Sequence, residues 1–373
     1  MPTLLDRPGE RMALSNATDN VWSSVMPLVL MELRKSRRAD REVTSPRPAL
    51  HRLTDVVGQH TVYLDVLSPK DRPSDVTSDQ LAEVYDDARR VGLEFIPVHT
   101  LGMSGSKTAA ARLASEQDQG LLLRYRALEP HLPLRPRTDL LYIEVDALGI
   151  QPPDIDLLVD LGWWSYESEL DSSHMRDVLA DCAAAGPWRT VTLAGTSIPH
   201  TLAGFAVDSI TPIERREWAL WEQVVDDSGE AVRFGDYAIQ HPRWPHSGGF
   251  GPFANIRYSI ERGTLVARGN GRVNLLPVAE REDQYRALCQ AIMAEPTFAG
   301  GYCCWGDEAI EACAQGRIQP SASTAFWRAV GTAHHMRMVT LAISIAEDVR
   351  ASALQAPAQA SREVAGEAAA LVR

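Results

Sequence analysis

The sequence has few cysteines, and none of them has the spacing of a disulfide framework or a zinc site. Five cysteines occur in 373 residues, and no two of them form a C-x-x-C pair. An odd number of cysteines without paired spacing is typical of free thiols in a reducing compartment. Cys303 and Cys304 are adjacent, so their side chains diverge, and we predict small apolar core residues there rather than a metal site. We expect a cytoplasmic protein.

Long apolar runs and an excess of positive charge are also missing. No run approaches the ~20 residues of a membrane helix, and the N-terminus lacks the charged and apolar regions of a signal peptide. The formal net charge is -12, from 37 Lys and Arg against 49 Asp and Glu. Such a balance disfavours bulk binding to nucleic acid or to an anionic membrane. The basic residues within 34–41 are interpreted as a solvated loop.

Short apolar strands alternate with helical patterns along most of the chain. Eight strands are predicted: Pro2–Leu5, Val25–Glu32, Thr61–Val66, Leu93–His99, Leu121–Tyr125, Ile155–Leu161, Arg189–Ala194 and Val232–Ala238. Several are apolar on both faces, as buried parallel strands are. Eight strand–helix units predict an α/β fold, namely a (β/α)8 TIM-like barrel. An open doubly wound sheet is the alternative, but no glycine-rich nucleotide-binding loop follows any strand.

Further elements surround this alternation. Strand-like segments at Ile256–Ile260 and Leu265–Arg268 predict a β-hairpin inserted before the last helix. The helix before the eighth strand is predicted over Ile213–Val225, and the ambiguous segment Leu140–Leu148 is interpreted as a helix. We therefore predict a barrel domain over residues 1–296 including the hairpin 255–269, a helical extension over 297–350 packed on the barrel, and an Ala-rich tail over 351–373.

A series of short motifs also runs along the chain. They are Gly9-Glu10 with Ala13-Leu14, Met26-Pro27-Leu28, Leu64-Asp65, Ile96-Pro97-Val98, Leu123-Arg124, Leu158-Val159-Asp160, Ala194-Gly195-Thr196-Ser197-Ile198-Pro199, Arg216-Glu217 with Trp221, Gly235-Asp236-Tyr237-Ala238, Tyr258, Arg268-Gly269, Gly306-Asp307, and Trp327-Arg328 with Gly331 and His334-His335. In this order they resemble the phage-type "beta protein" family of bacteriophages and bacteria. Arg7 stands where that family usually has Lys, which keeps the charge but changes its geometry. The resemblance implies a single long domain in a phage or antiviral-defence context, and no established activity.

The barrel prediction selects candidate site residues, because functional side chains lie at the C-terminal ends of barrel strands and in the loops that follow. The selected residues are Arg7, Glu10, Glu32, Asp65, His99, Arg124, Asp160, Ser197, Asp236 and Tyr237. Four of the eight strand ends carry a carboxylate, and buried carboxylates are costly unless they are paired, hydrogen-bonded or metal-bound. A polar pocket is therefore predicted. The alternative is that these carboxylates pair with arginines or cap helices and close the barrel.

The residue types predict chemical roles for these side chains. Glu32, Asp65 and Asp236 are the predicted ligands of a divalent cation such as Mg²⁺ or Mn²⁺, because hard cations prefer oxygen ligands. The catalytic candidates are Asp236, Tyr237, His99 and Asp160, with His99 as a general acid or base. The ligand-binding candidates are Arg7, Glu10, Arg124, Ser197, Arg268 and His335, with the arginines placed to bind a phosphate or carboxylate.

These candidates lead to two hypotheses about function. The first is a metal-assisted hydrolase or phosphodiesterase that acts on a phosphorylated or nucleotide-like ligand at the barrel mouth. The alternative is a non-catalytic protein of phage–host conflict that senses a ligand or binds a partner. The expected partners are a small anionic ligand or a phage or host protein, and no membrane. Convergence of two carboxylates on one centre would favour the enzyme. If Asp236 is a ligand or a base of such an enzyme, Asp236→Asn should change the stability of the protein little.

Overall fold

The computed structural model describes residues 1–33, 45–67, 76–126, 138–164, 172–228, 231–242 and 253–370. Its central element is a sheet of eight parallel strands. These are β1 (Thr3–Leu5), β2 (Leu28–Glu32), β3 (Val62–Leu67), β4 (Phe95–Thr100), β5 (Leu121–Arg126), β6 (Ile155–Trp163), β7 (Thr190–Thr196) and β9 (Val232–Asp236). The spatial order of the strands follows the chain, as in a barrel.

The first and last strands meet and bring the barrel close to closure. Pro2 bridges Asp236 in parallel register, and the Asp236 backbone N–H donates to the Met1 carbonyl at 3.1 Å. Gly235 permits this approach, because a Cβ there would lie 3.2 Å from the Met1 carbonyl oxygen and 2.8 Å from the Ala194 Cβ. The predicted (β/α)8 barrel is confirmed.

Helices follow the strands as the alternation predicted. They are α1 (Pro8–Ser15), α2 (Asp19–Trp22), α3 (Arg47–Val57), α4 (Ser78–Arg90), α5 (Ser104–Gln117), α6 (Thr138–Leu148), α7 (Ser172–Ala184) and α8 (Arg216–Ser228). Local signals define some of their ends. At α4, Thr77 and Gln80 form a reciprocal capping box that satisfies two backbone N–H groups.

Side chains of the barrel strands alternate between the lumen and the surrounding helices. In β6, Leu158 lies in the lumen core, whereas Leu157 and Val159 pack in the outer core with the helices. At β9, Phe234 belongs to the outer core and Tyr237, just beyond the strand, to the lumen core. Each strand-end residue therefore reaches the lumen or the helix layer according to its position in this alternation.

A second, three-stranded antiparallel sheet contains the predicted hairpin. Its strands are β8 (Ser209–Glu214), β10 (Phe253–Ile260) and β11 (Gly263–Arg272), and β11 is central. Because β8 follows β7 and β10 follows β9, this sheet connects to the C-terminal ends of the barrel strands. It thus lies on the side of the barrel where the candidate site was predicted.

The strand β8 was not predicted, and the helix predicted from Ile213 begins only at Arg216. Only Ile213 of this strand is buried, so its sequence has no apolar alternation. Pro212 is tolerated because β8 is an edge strand. Its conformation comes from pairing with β11, a long-range contact that the local sequence does not encode.

The C-terminal region is helical, with α9 (Val278–Met293), α10 (Trp305–Ala314) and α11 (Thr324–Ala370). The hairpin shares a core with these helices, in which Tyr258 and Trp327 are fully buried. The region packs on the barrel through α1 and α11, where a Cβ at Gly9 would lie 2.8 Å from a carbonyl of α11. Within the described residues, no helix combines the length and the hydropathy that crossing a membrane requires.

Candidate functional site

An arginine lies between two carboxylates at the C-terminal end of the lumen. Arg124 of β5 donates from Nη1 to Asp65 Oδ2 at 2.6 Å. It donates from Nε and Nη2 to Asp160 Oδ2 at 2.9 and 2.6 Å. All three residues are at most 5% exposed. We call Asp65, Arg124, Asp160 and Tyr237 the mouth cluster, and it is built from the ends of β3, β5, β6 and β9.

Tyr237 completes this cluster. Its hydroxyl donates to Asp160 Oδ2 at 2.6 Å and accepts from Arg124 Nη2 at 2.9 Å. Burial and the neighbouring Asp160 charge raise the pKa of Tyr237, so the phenol keeps its proton. Burial alone would raise the pKa of Asp160, but the Arg124 charge and the Tyr237 hydrogen bond hold it below its usual value. At neutral pH the phenol is therefore neutral and Asp160 is ionised.

A similar group of residues occupies the opposite end of the lumen. Tyr63 donates to Asp156 Oδ2 at 2.6 Å, and Arg189 donates to the same carboxylate from Nε at 3.0 Å and from Nη2. We call Tyr63, Asp156 and Arg189 the floor cluster. These three residues were not among the predicted site residues, because Asp156 stands at the start of a strand. The sequence feature that could have identified the floor cluster is an aspartate four residues before Asp160, on the same face of β6. N-terminal ends of barrel strands serve stability rather than chemistry.

Asp236 points away from the lumen. Its Oδ2 accepts from His335 Nε2 at 2.7 Å and from Arg215 Nη2 at 3.1 Å, and its Oδ1 accepts from the Ala238 backbone N–H at 2.9 Å. Asp236 and Tyr237 are adjacent in the chain, so they project to opposite sides of the sheet. The prediction that Asp236 shares one cavity with Asp65 and Asp160 is therefore corrected.

The surroundings of Asp236 form an outer cluster of Arg215, Glu217, Asp236, Ser259 and His335. His335 Nδ1 lies 2.7 Å from Ser259 Oγ, and Arg215 Nε lies 3.4 Å from Glu217 Oε1. Burial alone would raise the pKa of Asp236, but His335 and Arg215 hold it well below its usual value. Burial lowers the pKa of His335 and raises that of Glu217.

A cavity of about 330 Å³ borders the outer cluster. Asp236 and His335 line it together with Phe234, Met1 and Val339, so it lies between the barrel wall and α11 rather than at the barrel mouth. The structure thus offers two distinct polar regions, one inside the lumen and one beneath α11.

A model of the Beta protein family matches residues 1–340 of the chain. The chain belongs to the Beta protein family. Comparison with curated proteins finds no match. The chain is similar to a 3-keto-L-gulonate-6-phosphate decarboxylase from Vibrio cholerae O1, at 15% identity, covering 63% of this chain and 86% of that chain, with a TM-score of 0.33. It is also similar to a xylose isomerase-like TIM barrel/4-hydroxyphenylpyruvate dioxygenase fusion protein, at 10% identity, covering 66% of this chain and 40% of that chain, with a TM-score of 0.30.

In this Beta protein, the motifs that carried the family resemblance supply most of the buried polar residues described above. The whole mouth cluster and three members of the outer cluster, Glu217, Asp236 and His335, come from those motifs. Arg215 and Ser259 were missed. Arg215 lay inside a predicted helix, and Ser259 is a single serine in a predicted hairpin strand, which does not by itself indicate a site.

His99 lies in the helix layer and not in the mouth cluster. Its Nδ1 is 2.8 Å from Ser106 Oγ and its Nε2 is 2.6 Å from Glu144 Oε1, on α5 and α6. The reason is the strand alternation, since Val98 faces the lumen and His99 therefore faces out. The prediction that His99 acts at the barrel mouth is corrected accordingly.

Arg268 and Ser197 also have partners within the protein. Arg268 donates from Nη1 to the carbonyls of Leu202, at 2.6 Å, and Phe205, so it anchors the loop before β8. Ser197 donates to Glu217 Oε2 at 2.7 Å and accepts from a backbone N–H of α8. Ser197 thus lies beside the outer cluster and connects β7 to α8. The predicted anion-binding role of Ser197 is corrected to this structural one.

The remaining candidates lie at the edge of the barrel. Glu32 ends β2 in register with Leu67, two residues beyond the pairing of Leu30 with Asp65, and it is partly exposed. Arg7 precedes α1 and is partly exposed. The structure therefore does not bring Glu32, Asp65 and Asp236 together as a metal-binding set.

Glu10 is a buried carboxylate of α1. It is 1% exposed, and within the described residues neither of its carboxylate oxygens has a hydrogen-bond partner. Arg328 Nε lies 4.0 Å from Glu10 Oε1. Burial raises the pKa of Glu10 despite the positive charge of Arg328. Glu10 therefore faces α11, outside the lumen, and is kept at a cost to stability.

Glu10→Gln is expected to stabilise the protein by about 1 kcal/mol at pH 7. A carboxyl group whose folded-state pKa is raised binds its proton more tightly in the folded state, so stability falls as pH rises through that pKa. The glutamine amide carries no charge and removes this penalty. Urea unfolding of both proteins at pH 7 and pH 4.5 measures the difference in the free energy of unfolding, which should be larger at pH 7. Equal destabilisation at both pH values would contradict the prediction.

Proposed function

We propose that this protein is a hydrolase whose active site is the mouth cluster and whose substrate is a phosphorylated or nucleotide-like small molecule. The observation that carries the proposal is a set of buried charges at the C-terminal ends of barrel strands, where barrel enzymes place their catalytic residues. Burying such charges is costly, and apolar side chains of similar volume would close a barrel at least as well.

The cluster retains groups that a ligand could use. Within the described residues, Asp65 accepts a hydrogen bond only through Oδ2. Arg124 uses four of its five N–H groups in the contacts above, so within the described part of the chain one N–H on Nη1 has no acceptor. In the proposal Arg124 binds a phosphoryl oxygen through that N–H. Asp65 accepts a proton from the attacking water as the bond from phosphorus to the leaving oxygen breaks.

The metal-assisted form of this hypothesis finds no support in the geometry. Arg124 already neutralises Asp65 and Asp160, and Asp236 lies outside the lumen. A divalent cation at the mouth would have to displace the guanidinium. We therefore propose acid–base catalysis that continues in the presence of a chelator.

The test compares two aspartates of the same lumen. With bis(p-nitrophenyl) phosphate, p-nitrophenyl phosphate and nucleotides as probes, Asp65→Asn is expected to lower the rate at least ~100-fold, the usual contribution of a general base. The matched control is Asp156→Asn in the floor cluster, which should cost stability and leave the rate per folded molecule unchanged. Equal losses in both variants, or a folded wild type that hydrolyses none of the probes, would refute the proposal.

The cavity beneath α11 favours ligand sensing as a second candidate function. Its volume of about 330 Å³ is at the lower end of small-molecule pockets. A ligand there would contact Asp236, His335 and α11 together, and so could bias the position of that helix. Val339→Trp should fill the cavity and abolish the thermal stabilisation by such a ligand, while leaving hydrolysis at the mouth unchanged. If the ligand still raises the melting temperature of the Val339→Trp variant, the cavity is excluded as the binding site.

A further inference from the structure

A cysteine, an aspartate and a histidine converge where the hairpin, α10 and α11 meet. Cys304 precedes α10, Asp307 stands in its first turn, and His334 comes from α11. Cys304 Sγ and His334 Nδ1 each lie 3.0 Å from Asp307 Oδ2. One ligand atom from each of the three residues lies within 4.8 Å of the other two. Nothing in the function proposed above uses this group.

We propose that Cys304, Asp307 and His334 bind a zinc ion. Thiolate, imidazole and carboxylate are all zinc ligands, and the thiolate selects against Mg²⁺ and Ca²⁺. Tetrahedral zinc places its nitrogen and oxygen ligands about 3.4 Å apart, as follows from bond lengths near 2.1 Å. The distance between His334 Nδ1 and Asp307 Oδ2 is 3.0 Å, so it needs to increase by only a few tenths of an ångström.

The orientation of the histidine is that of a metal ligand. His334 Nε2 lies 2.7 Å from the Ser259 carbonyl oxygen, which can only accept, so this nitrogen carries a proton. In a neutral imidazole the lone pair is then on Nδ1, and it faces the Asp307 carboxylate, 3.0 Å from each of its two oxygens. A cation between the nitrogen and the carboxylate resolves that contact. Backbone carbonyls commonly fix metal-binding histidines through the other ring nitrogen in this way.

Tyr258 provides the same support for the aspartate. Its hydroxyl donates to Asp307 Oδ1 at 2.7 Å, while Oδ2 lies 3.0 Å from both Cys304 Sγ and His334 Nδ1. The Tyr258 ring also stacks on the His334 ring, with centroids 3.8 Å apart. Asp307 and His334 are fully buried and Cys304 is partly exposed. The three residues supply three of the four ligands of tetrahedral zinc, and bound zinc would tie α10 to α11.

Adjacent thiols in the chain provide a matched test. Full-length protein purified from zinc-supplemented cells should contain about one zinc per chain. Its Co²⁺-substituted form should show a thiolate-to-metal charge-transfer band, which Cys304→Ser abolishes and Cys303→Ser keeps. Zinc should raise the Tm of chelator-treated wild type by roughly 5 °C or more. These measurements need no activity.

The outcomes separate clearly. Loss of metal in both folded serine variants would contradict the three-residue site, because Cys303 would then be a ligand as well. The proposal is overturned by a folded wild type that binds neither zinc nor Co²⁺ stoichiometrically. It is also overturned if Cys304→Ser keeps the charge-transfer band. If Cys304→Ser fails to fold, the charge-transfer band of wild-type protein decides by itself whether a thiolate ligates the metal.

Discussion

Arg124→Met is expected to destabilise the protein by about 3–5 kcal/mol, the usual cost of leaving a buried charge without its partner. In the wild type the guanidinium neutralises Asp65 and Asp160 inside the lumen. Methionine fills similar volume but leaves both carboxylates uncompensated. Urea unfolding at pH 7 measures the loss.

Two further variants test this explanation. Arg89→Met removes an exposed ion pair with Glu116, and it should cost less than about 1 kcal/mol. In an Asp65→Asn, Asp160→Asn background, Arg124→Met should cost far less than in the wild type, because the carboxylates it neutralises are gone. A cost below 1 kcal/mol in the wild-type background would mean that solvent already screens the mouth cluster.

Asp236→Asn is expected to destabilise the protein by about 3 kcal/mol at pH 7. The strand-end position alone had suggested little change, but Asp236 is the partner of both Arg215 and His335. The amide removes the charge that these two side chains share. The exposed Asp208→Asn is the matched control and should be nearly neutral.

The same cluster makes stability depend on pH. The pKa of Asp236 is depressed in the folded state, so its contribution is present above about pH 4 and is lost as pH falls through the folded pKa. Burial depresses the pKa of His335 as well, so stability begins to fall below about pH 6.5, where the unfolded chain binds a proton. Unfolding measured from pH 7 down to about pH 2 should show both losses in wild type. In Asp236→Asn the loss below pH 4 should shrink, and an unchanged profile would contradict the assignment.

Much of the mouth cluster followed from the sequence. Asp65, Arg124 and Asp160 each stand near the end of an apolar segment, and parallel strands of one barrel end at the same face. Once eight strand–helix units were recognised, their proximity required no further information. Asp236 and His99 were recognised by the same rule, and both face the helices instead. A position at a strand end determines how high a residue lies along the barrel axis. Whether its side chain faces the lumen or the helix layer changes with a shift of one residue in register.

The C-terminal region shows the same limit in a different form. Cys303 and Cys304 offered no metal spacing along the chain, because Asp307 and His334 approach Cys304 only when α11 packs on α10 and the hairpin. Similarly, Ser209–Glu214 is a strand only through its pairing with β11. Ligand sets drawn from separate elements have no signature in sequence spacing.

Several features of this protein follow from its sequence alone, namely the alternation of strands and helices, the barrel class, the family and the residues at the strand ends. These depend on local periodicity, on the apolar character of buried parallel strands and on the order of motifs. Tertiary packing pairs Tyr237 with Arg124 and Asp236 with His335. It also buries Glu10, whose carboxylate has no hydrogen-bond partner within the described residues. The physical reason is that burial and charge pairing are properties of side chains from distant segments. Their approach depends on how the barrel closes and how α11 packs against it.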